Sequence, residues 1–313
     1  NEDLQKLFGD KRYHSISTWL KRTFGEKTIK LAIDGGFTCP NRDGLIDARG
    51  CIFCSAGGSG DFAATKGSIT EQIEEAIARV SRYKNAGHHF TAYFQSFTAT
   101  YAPVETLRAA WEEAMTHESV VTLAIATRPD CLGDDVLSLL ADCCRKMPVT
   151  VELGLQTIHP DTIRYIRRGY PNSVYETAVK NLQNISVNVV THVIAGLPGE
   201  TKENFLDTVR YVADIGSDGI KLQLLHVLKG TDLALDYENK MFRTLTPDEY
   251  LDYIAEALSI LPPDMVIHRV TGDGPKDLLI APLWSANKRM VLNSLQKKMK
   301  QEHIFQGKFY HGK

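Results

Sequence analysis

Three of the six cysteines in this 313-residue chain lie within 16 positions of one another. Cys39, Cys51 and Cys54 form a C-x11-C-x2-C pattern in the segment DGGFTCPNRDGLIDARGCIFCSAGGSG (34–60), and the next cysteine is Cys131. Clustered thiolates bind zinc or iron, and a structural zinc site needs a fourth ligand. A [4Fe–4S] cluster held by three cysteines instead leaves one iron open to an external chelating molecule. The residues alone leave open a zinc site with a distant fourth ligand, an incomplete disulfide framework and a cluster with one open iron.

The elements that position the cysteines alternate between β-rich runs and amphipathic stretches. Apolar residues at i, i+3 and i+4, as in ITEQIEEAIARV, are typical of helices that pack on a sheet. This pattern predicts helices near 70–84, 104–116, 134–146, 160–168, 173–184 and 201–215. The intervening runs predict strands at 27–34, 89–96, 120–128, 149–157, 188–198 and 219–228. Six such units predict a parallel sheet, open or rolled into a barrel, with the cysteines at the carboxyl edge where these folds build their sites.

After the sixth strand, the sequence predicts a helix around 247–261, a strand at 265–272 and a basic helical tail. The tail, residues 285–313, contains seven Lys or Arg and one Glu, whereas the whole chain has a formal charge of −2. Its lysines, among them Lys297 and Lys300, are candidates for contact with RNA phosphates. A solvated amphipathic helix that packs on the barrel explains the same residues.

The composition is that of a globular protein, with 43% hydrophobic and 24% charged residues. No apolar run of roughly 18 residues occurs, so we expect no transmembrane helix. The N-terminal stretch NEDLQKLFGDKRYH lacks the apolar core of a secretory signal, although its first residue is not Met. We therefore expect a cytoplasmic protein with reduced cysteines, in which Cys131, Cys143 and Cys144 are small buried hydrophobic residues.

Several motifs at the predicted strand ends resemble those of the radical S-adenosylmethionine (SAM) superfamily. The cysteine loop and VIAGLPGET after the fifth strand are two of them. The long first cysteine gap departs from the commonest C-x3-C-x2-C form and is similar to the gap found in the branch that contains the Elongator catalytic subunit. Three further motifs also resemble that branch: ATRPD (126–130), VELGLQT (151–157) and RRGY (167–170). YFQSFTATYAP, LLHVLKGT and TGDGPKDLLIAPLWSANK resemble still more closely a YhcC/YtqA-like subgroup. The resemblance extends from about residue 10 to about residue 290.

The resemblance implies an α/β fold, a partial (β/α)6 radical SAM barrel with a C-terminal extension. The barrel would span residues 1–230 and contain the cluster loop 35–60, and the extension with its basic tail would span 231–313. The three clustered cysteines would bind the [4Fe–4S] cluster, and the amino and carboxylate groups of SAM would bind its open iron. An electron from the cluster would cleave SAM to methionine and a 5′-deoxyadenosyl radical, which takes a hydrogen atom from the substrate.

Residues at the ends of the second, third and fourth strands are candidates for SAM binding. Gln95 and Ser96 lie where the superfamily often receives the SAM amino group on a Gly-Gly-Glu-like segment, which this chain lacks. Arg128 ends the third strand and would point toward the barrel mouth, to SAM or to an anionic substrate. Glu152 and Gln156 share one face of the fourth strand, because residues i and i+4 of a strand point the same way. Ribose hydroxyls or internal salt bridges would satisfy these two polar groups.

Five further candidates follow from the resemblance. Arg168 matches a position from which related enzymes pair a cation with the SAM carboxylate, and a solvated helix face is the alternative. Gly196 and Leu197 belong to a tight turn whose main chain approaches the adenine in the family, although chain reversal alone explains the glycine. His226 and Val227 would close over the adenine, and a core histidine explains His226 equally well.

The subgroup resemblance implies a tRNA-modifying enzyme that converts 5-carboxymethylaminomethyluridine at the wobble position to 5-aminomethyluridine. No acetyltransferase domain follows the barrel in this sequence, so the Elongator reaction itself is not expected. The partners would be tRNA and an electron donor such as flavodoxin or ferredoxin, without a membrane. Two alternatives remain: a radical SAM enzyme that acts on a small molecule, and a non-catalytic zinc-containing protein that binds RNA.

Overall fold

Seven strands form one parallel sheet in which neighbouring strands follow the order of the chain. The computed structural model describes residues 2–58, 67–82, 87–272 and 274–312. In sheet order the strands are β1 Ile29–Ile33, β2 Phe90–Phe94, β3 Val120–Thr127, β4 Val149–Gln156, β5 Asn188–Ala195, β6 Gly219–Leu224 and β8 Val266–Arg269. Lysines from β1 and β6 both reach Glu152 on β4, which requires the sheet to curve into a half-barrel.

Helices connect the strands and pack against them. They are α1 Glu2–Phe8, α2 Ile16–Phe24, α3 Ile69–Val80, α4 Val104–Thr116, α5 Asp134–Cys144, α6 Pro160–Tyr165, α7 Asn172–Asn184, α8 Lys202–Ile215, α9 Asp232–Glu238, α10 Pro247–Ile260 and α11 Lys288–Gln301. Helices α3, α4, α5, α7 and α8 contact the strands that they connect. Because each connection returns the chain to the same edge, the carboxyl ends of the strands and their loops lie together.

Local sequence explains where these elements begin and how deeply they are buried. All but one residue of β3 are buried, as expected for a parallel strand that is covered on both faces. Ser68 begins α3 in a capping box with Glu71, and Thr201 begins α8 in the same way with Asn204. Each box satisfies backbone donors that a helix end would otherwise leave unpaired.

The predicted fold class is confirmed, and the structure adds a seventh strand to the main sheet. The strand predicted at 265–272 forms β8, which pairs with β6 at one edge of the half-barrel. The backbone N–H of Ile267 donates to the carbonyl of His14 at 2.7 Å, and the Gln306 side chain accepts from the His14 backbone N–H at 2.8 Å. The two ends of the chain therefore meet beside β8, and the domain boundary at residue 230 stays a prediction.

The sixth predicted strand, 219–228, is divided in two. Beyond Leu224 the chain leaves the main sheet, and β7 Val227–Leu228 pairs antiparallel with β9 Leu279–Ala281. A short 3-10 helix, Leu283–Ala286, then leads into α11. The helix α11 buries Val291, Leu295 and Met299. Among the described helices, none has the length and apolar character needed to span a membrane.

Candidate active site

A cavity of about 270 Å³ lies inside the half-barrel and opens toward the carboxyl ends of the strands. Most of the candidate residues line it: Cys39, Cys51, Cys54, Gln95, Arg128, Glu152, Gln156, Arg168 and His226. Four candidates are not part of its lining: Ser96, Gly196, Leu197 and Val227. Leu197 and Val227 instead belong to a small apolar cluster with Ile52 from the cysteine loop. The proposed contacts of these four residues with SAM stay predictions.

The cysteine loop follows β1 and is held in place by two of its own side chains. The Asn41 amide donates to Cys51 Sγ at 3.4 Å and to the carbonyl of Arg167 at 2.8 Å. The Arg42 guanidinium donates to the carbonyls of Cys54 and Ser55. These bonds fix the two close cysteines relative to each other and to the end of α6. The predicted loop 35–60 extends at its end beyond the described residues.

The thiols have the donor chemistry that an iron–sulfur cluster requires. Cys51 accepts hydrogen bonds from Cys54 and Asn41, and these lower the pKa of the Cys51 thiol and favour its thiolate. In the described part of the chain, no three Cys, His, Asp or Glu side chains converge on a point that would suit a single ion. A [4Fe–4S] cluster does not need such convergence, because each cysteine binds a different iron atom. Three thiols on one cavity wall therefore fit the cluster.

Buried polar atoms without a protein partner lie beside the same loop. Within the described residues they include Asn41 Oδ1, Ser96 Oγ and Gln156 Oε1. Gln156 also has a φ of 66°, in the left-handed region, at a register shift between β4 and β5. Unsatisfied buried polar atoms and a strained backbone are typical of ligand sites. The amino, hydroxyl and adenine groups of SAM would supply the missing partners for Gln156, which lines the cavity.

Arg128 lies at the end of β3, as the sequence indicates, and is held from two sides. Its Nε and Nη2 donate to Asp130 at 2.9 and 2.7 Å, and its guanidinium lies 5.0 Å from the centre of the Tyr170 ring. The bidentate pairing and the stacking orient the guanidinium at the cavity wall. Contact of Arg128 with SAM stays a prediction.

The structure does not support the pairing of Arg168 with the SAM carboxylate. The five N–H groups of its guanidinium all donate within the protein, to the carbonyls of Leu155, Thr157 and Tyr170 and to Asn172 Oδ1, at 2.7–3.1 Å. Arg168 is only 2% exposed. A guanidinium has five donors, so none remains for a ligand. Arg168 instead joins the end of β4 to the start of α7.

Glu152 makes the internal salt bridge that the sequence left open as the alternative to ribose binding. The carboxylate receives hydrogen bonds from Lys30 at 2.5 Å, from the Tyr93 hydroxyl at 2.6 Å, from His192 Nε2 at 2.9 Å and from Lys221. Three of these donors, from Tyr93, His192 and Lys221, contact Oε2, and Lys30 contacts Oε1, so both oxygens are paired within the protein. The internal salt bridge is therefore the observed role of Glu152.

His226 lies on the segment between β6 and β7 and faces Gly272 and Gly274. Its Nε2 lies 3.0 Å from Ser285 Oγ. A Cβ atom on Gly272 would come within 2.3 Å of the imidazole, so a larger residue at this position would require His226 to move. His226 is thus fixed at the cavity wall by the C-terminal part of the chain.

Several polar residues of the cavity were not among the sequence candidates, and four of them form one group on the inner face of the sheet. Tyr93 on β2, His192 on β5, and Lys221 and Gln223 on β6 all face the interior. A signal for two of them exists in GIKLQLLH, where Lys221 and Gln223 alternate with apolar residues in an otherwise buried strand. Such alternation places polar side chains on the inner face of a barrel strand.

Comparisons with known proteins agree with this geometry. The family model described as the radical SAM superfamily matches residues 48–212, and that of the Radical_SAM C-terminal domain matches residues 217–301. The chain is 43% identical to the YtqA protein of Bacillus subtilis over 307 residues, which cover 96% of this chain and 94% of YtqA. It is 36% identical over 289 residues to the YhcC protein of Escherichia coli K12, covering 92% of each.

More distant similarities extend to Elongator proteins. Elongator complex protein 3 of Schizosaccharomyces pombe is 25% identical over 288 residues, which cover 79% of this chain and 52% of that protein. The structure of the archaeal Methanocaldococcus infernus Elp3 is similar in fold, with a TM-score of 0.67 at 17% identity, covering 90% of this chain and 65% of that one. This chain belongs to the radical SAM superfamily, whose enzymes use a [4Fe–4S] cluster and SAM.

Proposed function

We propose that this enzyme modifies tRNA, converting 5-carboxymethylaminomethyluridine at the wobble position to 5-aminomethyluridine in the cytoplasm. The observation that carries the RNA part of the proposal is the exposed basic face of α11 on a half-barrel related to Elongator complex protein 3. Its exposed cations are Lys288, Arg289, Lys297 and Lys300. Such a face supplies the sequence-independent part of RNA affinity through contact with phosphates.

Helix α11 is compatible with both interpretations that the sequence leaves open, a contact with RNA and a solvated amphipathic helix that packs on the barrel. One side packs on α10 through Val291, Leu295 and Met299, and the other side presents the cations to solvent. Trp284 is not available to stack on a base, because its indole packs against Tyr250 and donates to the carbonyl of Leu245. Phe309, which is 53% exposed, has the surface that base stacking requires.

The chain's own residues hold and orient the cofactors in this proposal. Cys39, Cys51 and Cys54 would hold the cluster, and Gln95 and Gln156 would orient SAM. When bound, the two cofactors supply a 5′-deoxyadenosyl radical that removes a hydrogen atom from the substrate. The apolar parts of the cavity wall exclude water, and a flipped uridine from a single-stranded loop enters from the carboxyl ends of the strands. An electron donor such as flavodoxin or ferredoxin reduces the cluster.

Comparison of tRNA nucleosides with and without the gene tests the substrate. We expect 5-carboxymethylaminomethyluridine to accumulate and 5-aminomethyluridine to fall when the gene is deleted, as measured by chromatography and mass spectrometry of digested tRNA. The reconstituted enzyme with SAM and a reductant should restore the product in tRNA from the deleted strain. An unchanged wobble-uridine profile would end the tRNA proposal without affecting membership of the superfamily.

A further inference from the structure

A cluster of buried polar side chains forms the floor of the cavity. It lies closer to the amino-terminal ends of the strands than the predicted cofactor contacts do. We call it the floor cluster, and it consists of Lys30, Tyr93, Glu152, His192, Lys221 and Gln223. These residues come from β1, β2, β4, β5 and β6. Except for Lys30, all of them line the cavity. None has a role in the cofactor binding proposed above.

The floor cluster contains more positive than negative charge. Lys30 and Lys221 both pair with the single carboxylate of Glu152. Burial, and then the charge of Lys221, lower the pKa of His192 to about 4, so its imidazole is neutral near pH 7. Burial lowers the pKa of Lys221 to about 7, and when Lys221 is charged, two ammonium groups and one carboxylate leave a surplus of one positive charge. Arg269 also lines the cavity. Its charge is left out of this sum because Arg269 has another interaction partner.

Of the two lysines in the floor cluster, Lys221 is the one that lines the cavity. It is 5% exposed and donates to Glu152 and, at 3.2 Å, to the Tyr93 hydroxyl. An ammonium group has three N–H donors, and the described residues accept two of those of Lys221, which leaves one. Burial lowers the pKa of Lys221, and the charges of Lys30 and Arg269 lower it further, while Glu152 opposes them. An anion in the cavity would therefore stabilise the charged lysine.

Gln223 places a second donor beside Lys221. Both residues are on β6, two positions apart, and therefore face the same side of the sheet. One N–H of the Gln223 amide is directed to His192 Nδ1 at 3.3 Å, and His192 Nε2 donates to Glu152. This chain of bonds orients the amide and leaves its second N–H. Two adjacent donors with one surplus charge suit a carboxylate, whereas a phosphate dianion would exceed that charge.

We propose that Lys221 and Gln223 bind a carboxylate group of the substrate at the floor of the cavity. The inference rests on the proposed function in one respect, because the carboxymethylaminomethyl group supplies such a carboxylate. The floor cluster would then place the amine of that group between the carboxylate site and the cofactor end of the cavity. It would also distinguish the substrate from uridines whose substituent has no carboxylate, since binding those leaves the surplus positive charge of the floor cluster without a counter-ion.

The test uses the reconstituted holoenzyme with SAM and two anticodon stem-loop RNAs of identical sequence. One carries 5-carboxymethylaminomethyluridine at the wobble position, and the other carries 5-methylaminomethyluridine, which has no carboxylate. We expect the wild type to bind the first RNA roughly tenfold to a hundredfold more tightly, the scale of one hydrogen bond to a charged group. Lys221→Met should remove this preference while the Kd for the second RNA stays the same. Fluorescence anisotropy gives all four Kd values, and phosphate contacts cancel in the ratio.

Two further variants keep the test decisive. Gln223→Leu leaves all four partners of Glu152 in place and should lower the preference by a few-fold, the scale of a neutral hydrogen bond. Lys180→Met, on the exposed side of α7, should retain the wild-type preference. A preference that survives in both Lys221→Met and Gln223→Leu would overturn the inference. A loss of SAM affinity in Lys221→Met with an unchanged RNA preference would also overturn it.

Failure of the tRNA proposal would be distinguishable from failure of the carboxylate site. If the wild type binds neither RNA above the level of unmodified RNA, the proposed substrate is wrong. Calorimetric titration with N-methylglycine and with methylamine then tests the site directly. Binding of N-methylglycine alone, lost in Lys221→Met, would support the site, and equal behaviour of the two compounds would rule it out.

Discussion

Cysteine side chains of similar burial differ in their surroundings. Cys39, Cys51 and Cys54 share the wall of one cavity, whereas Cys131 faces a separate groove and burial raises the pKa of its thiol. Cys143 is part of α5 and lies in the hydrophobic core. The spacing in the chain already separates the three clustered cysteines from the others, and the hydrogen bond from Asn41 to Cys51 adds an interaction that the spacing does not indicate.

We predict that Ala at any one of Cys39, Cys51 or Cys54 abolishes cluster binding and SAM cleavage, because each cysteine would supply one iron ligand. Cys131→Ala and Cys143→Ala should retain both. Iron and sulfide content after anaerobic reconstitution, together with 5′-deoxyadenosine formation, measures the outcome. If the cluster survives Cys39→Ala but is lost in Cys131→Ala, the third iron ligand is Cys131 and not Cys39.

His192 gives a second prediction, which concerns stability and pH. Burial lowers its pKa from 6.5 to about 4, so between these values the unfolded chain binds a proton that the folded chain does not. Stability is therefore lost as pH falls below 6.5, by about 1.4 kcal/mol at pH 5.5. His192→Gln keeps a donor for Glu152 and does not titrate, so its melting temperature should fall less between pH 7.5 and 5.5. Parallel curves for the variant and the wild type would refute this explanation.

At the scale of the elements, sequence patterns predicted which strands carry the site but not the pairing of their side chains. The alternation of β4 correctly placed Glu152 and Gln156 at the cavity. The bulge after Gly154 turns Gln156 into a left-handed conformation that no residue pattern in VELGLQT indicates. Glu152 is paired with Lys30, 122 residues earlier, and with Lys221, 69 residues later. Such contacts depend on the curvature of the whole sheet, which local periodicity does not specify.

Arg168 supports a prediction about how β4 is connected to α7. Arg168→Lys replaces five donors by three, so at least two hydrogen bonds to buried acceptors are lost. Three donors cannot serve all four acceptors, so we expect a loss of about 1–3 kcal/mol, the cost of at least one unsatisfied buried acceptor. The melting temperature should fall by roughly 2–10 °C.

A matched control distinguishes this structural role from a general effect of the substitution. Arg164 is an exposed residue at the end of α6 whose ion pair with Asp161 is on the surface. Arg164→Lys should change the melting temperature by little, because exposed ion pairs contribute about 0–1 kcal/mol. Equal stability of the Arg168→Lys and Arg164→Lys proteins would contradict the structural role of Arg168.

At the scale of the whole molecule, alternating strand and helix patterns predicted six parallel strands but not their order, which differs between an open doubly wound sheet and a barrel. Only the family resemblance favoured the barrel. The sequence predicted the seventh strand, but it did not indicate that this strand belongs to the same sheet as the other six. Its place depends on His14 and Gln306, which hold β8 from opposite ends of the chain. The segment that leads to α11 thus forms the edge strand of the half-barrel next to β6. This arrangement puts the basic face of α11 on the same body as the cavity.

The last prediction tests whether that basic face binds RNA. Lys297 and Lys300 are exposed, whereas the neighbouring Lys298 pairs with Asp252 and Glu302. Lys297→Glu combined with Lys300→Glu should weaken tRNA binding and reduce the slope of log K against log salt by about one for each lost phosphate contact. SAM cleavage without RNA should be unchanged. The control, Lys21→Glu combined with Lys180→Glu, changes the net charge equally at two other exposed positions. If both double variants lose the same affinity, only the total charge matters, and α11 is not a specific RNA contact.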